Sequence, residues 1–415
     1  MLKSHYSSIH VPQTGGFPLR VLLLTHSYAP EHSPPQRRWT QFIHAFRKEG
    51  WNVDVVAPIA YRVPHTRILP KDVGGRAFRR DTGEFGERVR RVPVIPHRHS
   101  RLGKLMSHLF SAALSVPAAL MGPRPDVVVV TVPSLPILGA GYVVSTLCRR
   151  PLVVDMRDAW PDLARDARII KGNAKSLVEK IVTAIQSRSD RVVTVTYGFA
   201  QALKDRGIKQ VNTVTNGVRL SSIAPLEPPC SETGPLNVLY LGNHGESQKL
   251  GLIIRAAALA GDTVKLTMVG HGVNKELLVA LAQSLDVDVD FFPPAHGDWL
   301  RRFYEQSDTC VVSLRDDWKS FETTIPSKTY EVLSIRRHIT AVVLGEARNI
   351  IESSGAGDVV AADPAAIADL WRELSEDRTR LNVGDGGRDW VRVNADYESL
   401  SLEYIDVLRS VVGQG

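Results

Sequence analysis

The chain has 415 residues, a formal net charge of +7, 43% apolar and 23% charged residues. That length exceeds what one hydrophobic core usually supports, so two domains of about 200 residues are expected. Cys148, Cys230 and Cys310 stand far apart, which argues against a disulfide framework or a zinc cluster and suits a reducing, cytoplasmic setting.

The N-terminal stretch MLKSHYSSIHVPQTGGF has no continuous apolar run and does not read as a signal peptide. Short apolar runs then alternate with helical periodicity. The first half predicts strand 19–26, helix 35–49, strands 51–58 and 126–133, helix 135–149, strand 151–158, helix 174–188, strand 190–196, helix 198–206 and strand 211–218. Residues 221–235, SSIAPLEPPCSETGP, contain four prolines and read as a linker. The second half restarts with strand 236–242, helix 250–260, strand 264–270, helix 274–285, strand 287–292, helix 298–306, strand 309–314, a helix opened by IPSKTYEVLS, strand 338–344, helix 346–354 and strand 357–362. Helix 364–375 and one long helix over 386–412 close the chain. The alternation predicts an α/β protein of two doubly wound parallel sheets: residues 1–220, then 236–385, with 386–415 packing back toward the first domain. Ligands in such sheets bind at the carboxyl ends of the strands, so the cleft between the sheets is the expected site.

Charge is unevenly distributed. Residues 61–110 hold twelve Lys and Arg against four acids, leaving the rest close to neutral. Few aromatics and no recognised motif accompany these charges, so nucleic acid is a poor partner. Arg98, Arg101 and Lys104 precede Leu105, Met106, Leu109 and Phe110 in a helical pattern, which suits an anionic membrane surface; a solvated basic loop before an ordinary packed helix explains the pattern equally well. The longest apolar stretch, Leu109 to Met121, contains Pro117 and is too short to span a bilayer.

Three loops of the second half should flank the cleft: Gly242-Asn243-His244-Gly245, Gly270-His271-Gly272, and Thr323-Thr324 before Pro326. Glycines there let backbone N–H groups approach an anion. Pro326 sits where a helix can begin, putting Ser327, Lys328 and Glu331 on one face, with Lys328 beside a phosphate and Glu331 able to accept from the vicinal hydroxyls of a ribose. The competing explanation is a Lys–Glu pair in solvent. In the first half, Ser33, Arg37 and Arg38 lie where a strand gives way to a helix, and a positive first turn is understandable if an anion binds there. Asp155, Arg157 and Asp158 follow another strand; they can orient a sugar hydroxyl or accept a proton, or they can pair to tie two loops. DVDVD (286–290) alternates as a strand entrance does, so no metal is expected.

With these residues in place the sequence resembles the retaining, GT-B fold glycosyltransferases of family 4, in the branch that assembles bacterial surface polysaccharides of the colanic acid and O-antigen type. The carriers are YAPEHSPPQRRW, VVDMRDAWPD, TNGV, VLYLGN, MVGHG, IPSKTYEVLS and GEARNIIESSGAGDVVAADP. The resemblance implies a nucleotide-diphosphate sugar on the C-terminal domain, a glycan acceptor on the N-terminal one, and no cofactor or metal; the charge asymmetry adds a polyprenyl-linked acceptor and a cytoplasmic enzyme peripheral to the membrane as expectations. It makes Glu331 the second glutamate of the E-x7-E motif and puts Thr323 in place of the first, with backbone amides near Thr323 and Thr324 as substitutes. It assigns the leaving diphosphate to Lys328, Lys249, Arg37 or Arg38 and the Gly242–Gly245 loop, and the acceptor side to Asp158. Domain closure should hinge at 221–235 and the final helix. Two rivals share the fold: a nucleotide-sugar 2-epimerase, which has no use for a basic amphipathic segment, and a non-catalytic partner subunit, suggested by the missing glutamate.

Overall fold

The computed structural model describes residues 18–31, 34–59, 77–95, 101–132, 134–158, 173–229 and 233–413. Its first sheet has eight strands in the order β3-β4-β2-β1-β5-β6-β7-β8. They are β1 (Arg20–Leu24), β2 (Asn52–Pro58), β3 (Arg80–Thr82), β4 (Arg88–Val92), β5 (Val127–Val132), β6 (Leu152–Met156), β7 (Arg191–Thr194) and β8 (Val211–Thr213). All pairings are parallel except that of β3 with β4. The central strands are apolar on both faces, as in VVVVTV of β5, because helices cover both sides. One face carries α1 (Pro34–Lys48); the other carries α2 (Arg101–Leu120), α3 (Leu135–Cys148), α4 (Asn173–Arg188) and α5 (Tyr197–Asp205).

The second sheet is fully parallel, in the order β11-β10-β9-β12-β13-β14. Its strands are β9 (Leu236–Asn243), β10 (Val264–His271), β11 (Val289–Phe292), β12 (Thr309–Ser313), β13 (His338–Val342) and β14 (Gly357–Val359). One face is covered by α6 (Gly251–Ala260), α7 (Lys275–Ser284) and α11 (Pro364–Glu376). The other is covered by α8 (Gly297–Gln306), α9 (Ser327–Ile335), α10 (Gly345–Ser354) and α12 (Gly386–Asn394).

Two elements differ from expectation. The β3–β4 hairpin adds an edge to the first sheet inside the basic segment; its sequence, RDT and RVRRV, hides strand character behind arginines. The expected single helix over 386–412 is broken. Val218 N–H donates to Ala395 O and Tyr397 N–H to Val218 O, both at 2.9 Å, so the backbone at 395–396 bridges to residue 218. Asp396 then caps α13 (Tyr397–Val412) by accepting from Glu398 N–H. Gly217 is required at this crossing, since a Cβ there would run into the Ala395 carbonyl. After the crossing, Tyr397, Tyr404 and Leu408 of α13 are buried with Trp39, Phe42 and Phe46 of α1 in the core of the first sheet.

The proline-rich segment after Ser221 is also not a loose tether where it is described. Leu226 is buried and its N–H bonds Ile335 O at 3.0 Å, while Arg388 holds Ile223 O at 2.9 Å and Arg337 holds Glu227 O at 3.2 Å. Residues 223–227 therefore travel with the second sheet, and the covalent crossings between the two sheets lie at 217–220 and 394–397.

Candidate functional site

The carboxyl ends of both sheets open onto one cleft of about 1070 Å³. On the C-terminal side its wall includes Gly242 and Asn243 at the end of β9, Gly270 and His271 at the end of β10, and the run Thr323 to Lys328 with Glu331. On the N-terminal side it includes Arg37, Arg157 and Asp158.

The start of α9 presents backbone donors to the cleft. Pro326 is its N-cap and offers no side-chain acceptor; Thr329 N–H donates to the Pro326 carbonyl, and the N–H groups of Ser327 and Lys328 are left for a ligand. Lys328 Nζ lies 2.7 Å from Glu331 Oε2 and 3.4 Å from the hydroxyl of Tyr304. The Lys328 and Glu331 side chains retain only 26% and 19% exposure, so they form a cleft pair rather than a pair in open solvent. Ser327 is exposed at the helix tip and Thr324 lines the same wall.

The glycine loops are tight for a packing reason. Gly270, at φ +149, passes so close to the Gly242 carbonyl that a side chain has no room. The loop expected to cradle phosphate is only partly free to do so. His244 is buried beneath it, its N–H is bonded to His271 O at 3.0 Å, and burial pushes its imidazole down to about 4. Gly245 and Gly272 pack around that loop instead of facing the cleft.

Several expected site residues prove structural. Arg38 and Asp155, expected on the acceptor side, are fully buried and paired at 3.2 Å. Arg38 also donates to the carbonyls of Val214 and Thr215, and Asp155 accepts from Thr131 at 3.2 Å, so neither reaches a ligand. Lys249, expected beside the diphosphate, adopts a left-handed backbone (φ +49) and pairs with Asp316 at 2.6 Å outside the cleft. The Thr324 amide, offered as a substitute for the missing glutamate, already donates to Phe321 O at 3.2 Å. Ser33 and Arg98 lie outside the described residues, as does the side chain of Arg101; Lys104 is exposed on α2. The basic segment is less of a surface than its charge implies: Arg88 pairs with Asp54, and Arg91 bonds Pro58 O and Ala29 O.

Arg157 and Asp158 do face the cleft. Burial lowers the proton affinity of the Arg157 guanidinium and raises that of the Asp158 carboxyl, with the attraction between the two opposing both shifts. Perturbed groups of this kind in a cleft mark candidate proton-transfer sites.

Sequence reasoning missed the contact that joins the two walls. The Glu346 carboxylate, on α10, accepts from Tyr197 N–H at 3.0 Å and Gly198 N–H at 2.8 Å at the start of α5. Beside it Thr196 Oγ1 donates to Thr323 O at 2.7 Å. A carboxylate from one domain thus caps a helix of the other, next to Thr323. Only the spacing of Glu346 after a strand end could have hinted at it. The Pro294–His296 wall, from the PPAH run after β11, was also not anticipated.

This arrangement of two facing α/β units with a shared cleft defines the GT-B glycosyltransferase fold, and solved structures agree. The chain is similar to sucrose-phosphate synthase from Thermosynechococcus elongatus (TM-score 0.76, 16% identity, 96% of this chain and 100% of that one). It is similar to the Anabaena protein HepE, solved with UDP-glucose (TM-score 0.69, 14% identity, 94% and 100%). It is also similar to the catalytic domain of starch synthase IV from Arabidopsis thaliana, solved with ADP and acarbose (TM-score 0.66, 12% identity, 96% and 100%). Residues 35–218 match the glycosyl transferase 4-like domain. No curated protein matches the chain in sequence.

Replacing Glu346 with Ala removes a two-acceptor cap worth about 1 kcal/mol, roughly a fivefold shift toward separated domains. The radius of gyration from small-angle scattering is expected to rise in Glu346→Ala and to stay near wild type in Glu346→Gln, whose amide oxygen still accepts. An unchanged radius in both variants would mean that this contact does not hold the walls together.

Proposed function

We propose that the chain is a retaining hexosyltransferase of family 4 that moves a sugar from a nucleotide-diphosphate donor to a glycan or polyprenyl-linked acceptor in cell-surface polysaccharide assembly. The observation that carries this reading is the uncapped start of α9 in the cleft with Lys328 and Glu331 on its first turns. Breaking the bond between the anomeric carbon and phosphate places negative charge on the leaving diphosphate, and groups already aimed at that charge lower the barrier most. The N–H groups at Ser327 and the Lys328 ammonium supply it here. Arg37 adds charge from the opposite wall, and the mechanism enlists no metal. Glu331 is positioned to exchange its bond with Lys328 for the ribose hydroxyls.

On the acceptor side Asp158 is the proton-accepting group: burial raises its carboxyl pKa, which brings it nearer the range in which a base both captures and releases a proton. The solved complexes of HepE with UDP-glucose and of starch synthase IV with ADP support a nucleotide-sugar donor. Retention of configuration enters through the family resemblance.

The proposed setting is the cytoplasmic face of the membrane. No helix among the described residues is long and apolar enough to cross a bilayer. On α2, however, Leu102, Leu105, Met106, Leu109 and Phe110 form a stripe facing outward, with exposures from 40% for Phe110 to 70% for Leu102. Lys104 stands within it, and Ser107, Ser111, Ala112 and Ser115 turn the other way into the domain. An apolar stripe flanked by cations suits the interface of an anionic leaflet.

Two experiments test this reading. In a thermal-shift panel of UDP, GDP, ADP and their sugars, one nucleotide family should stabilise the wild type, by about 2.7 kcal/mol at a hundredfold excess over Kd. The shift should be lost in Glu331→Ala; a panel that moves neither protein contradicts the donor site. In vesicle sedimentation, wild type should pellet with anionic but not neutral lipid, and a variant with Arg98, Arg101 and Lys104 neutralised should stay in solution. Equal pelleting of the two proteins would remove the membrane from the account.

A further inference from the structure

A group of nitrogen-bearing side chains gathers at the N-terminal wall where β1, β5 and β6 end against the first half of α2. His26 follows β1, Arg157 follows β6, and Lys104 and His108 lie on α2. The His26 and His108 rings are 5.9 Å apart, and Ser134 Oγ is 3.2 Å from His108 Nδ1. Burial chiefly, then the nearby charges of His108, Arg157 and Lys104, hold His26 down at about 3.

Among the described residues, no acid forms an ion pair with these groups. Asp155 is committed to Arg38 and Thr131. Asp158 adjoins Arg157, yet no ion pair forms between them among the described contacts. The Nε of Arg157 and the Nδ1 of His26 are buried without a hydrogen-bond partner. Arg157 Nε always carries its proton, while the role of His26 Nδ1 follows the ring's tautomer; a buried N–H left unmatched costs about 1–3 kcal/mol, so a site that keeps the Arg157 donor open is completed by something that brings acceptors. The planar fork of a guanidinium beside an ammonium and two imidazoles matches the oxygens of a phosphate.

We propose that Arg157, His26 and Lys104, with His108 and Ser134, form a phosphate subsite on the N-terminal wall, and that the acceptor carries a phosphate monoester or diphosphate there. Assigning that phosphate to the acceptor rests on the transferase reading; the binding itself does not. The place suits the role: Arg157 lines the donor cleft, and Lys104 emerges beside the apolar stripe of α2. A phosphate held between them can belong to a soluble sugar phosphate or to the head of a membrane-borne lipid.

Calorimetry with inorganic phosphate tests the subsite directly, on wild type, Arg157→Gln, Lys104→Gln and Lys328→Ala. Wild type is expected to bind, Arg157→Gln to lose about tenfold or more in affinity, Lys104→Gln to weaken several-fold, and Lys328→Ala to keep this binding. Lys104 is exposed, so its variant reports even if Arg157→Gln does not fold. Absence of phosphate binding in wild type, or wild-type affinity in both N-terminal variants, would overturn the subsite. Geranyl diphosphate and glucose 6-phosphate distinguish the sources: whichever binds more tightly than inorganic phosphate identifies the lipid or the sugar, and either result supports the proposal. UDP, GDP and ADP titrated into the same sample separate the two claims. Nucleotide binding without phosphate binding removes the subsite alone, and phosphate binding without nucleotide binding removes the donor reading alone.

Discussion

Arg38 is the charge around which the N-terminal wall is assembled. Its guanidinium is fully buried, bonded to Asp155 of β6 and to the carbonyls of Val214 and Thr215, and lies 4.7 Å from the centre of the Phe42 ring. Asp155 in turn holds Thr131 of β5, and Thr215 Oγ1 donates to Asn394 O at 2.9 Å where the chain returns from the second sheet. One side chain therefore fixes α1, two central strands, the segment leading out of the first domain and, through Phe42, the tyrosines of α13. A buried pair of this kind adds little net stability over apolar residues of the same volume, but removing one partner leaves an unmatched charge and costs about 3–5 kcal/mol. Its consequence is geometric: it sets where β6 ends, and so where Arg157 and Asp158 project into the cleft.

The second wall is built by different means. There the backbone does the positioning, with Gly242 and Gly270 letting β9 and β10 approach at their carboxyl ends and α9 beginning without a side-chain cap. The two walls meet through Glu346 on the start of α5 and Thr196 on the Thr323 carbonyl. The Thr323 carbonyl accepts from Thr196, so its contact lies at the junction of the domains. Gly198 sits against this residue, and a Cβ at Gly198 would come within 2.9 Å of the Thr323 methyl.

Much of the fold was legible because parallel strands buried on both faces are written as continuous apolar runs and their helices carry a clear period. The β3–β4 hairpin was not, since three of the five residues of β4 are arginines, of which Arg88 and Arg91 find partners distant in sequence. The break at 395–396 was hidden for a similar reason: it is imposed by backbone bonds to residue 218. For the site, Ser327, Lys328 and Glu331 could be read from one helical turn. Arg38 and Asp155 could not be distinguished from ligand-facing residues, because their pairing spans 117 positions and only the folded sheet brings them together. Lys249 was misplaced by a single left-handed residue that turns its side chain toward Asp316.

The central claim is that a nucleotide-diphosphate sugar is held at the start of α9 against the glycine loops of β9 and β10. Hydrogen exchange with and without the nucleotide sugar tests it most directly, because it reports which amides the ligand covers. Slowed exchange confined to residues 242–243, 270–271 and 323–331 is the predicted result. Protection that appears only around 26–38 and 155–158, with the α9 start unchanged, would contradict the account.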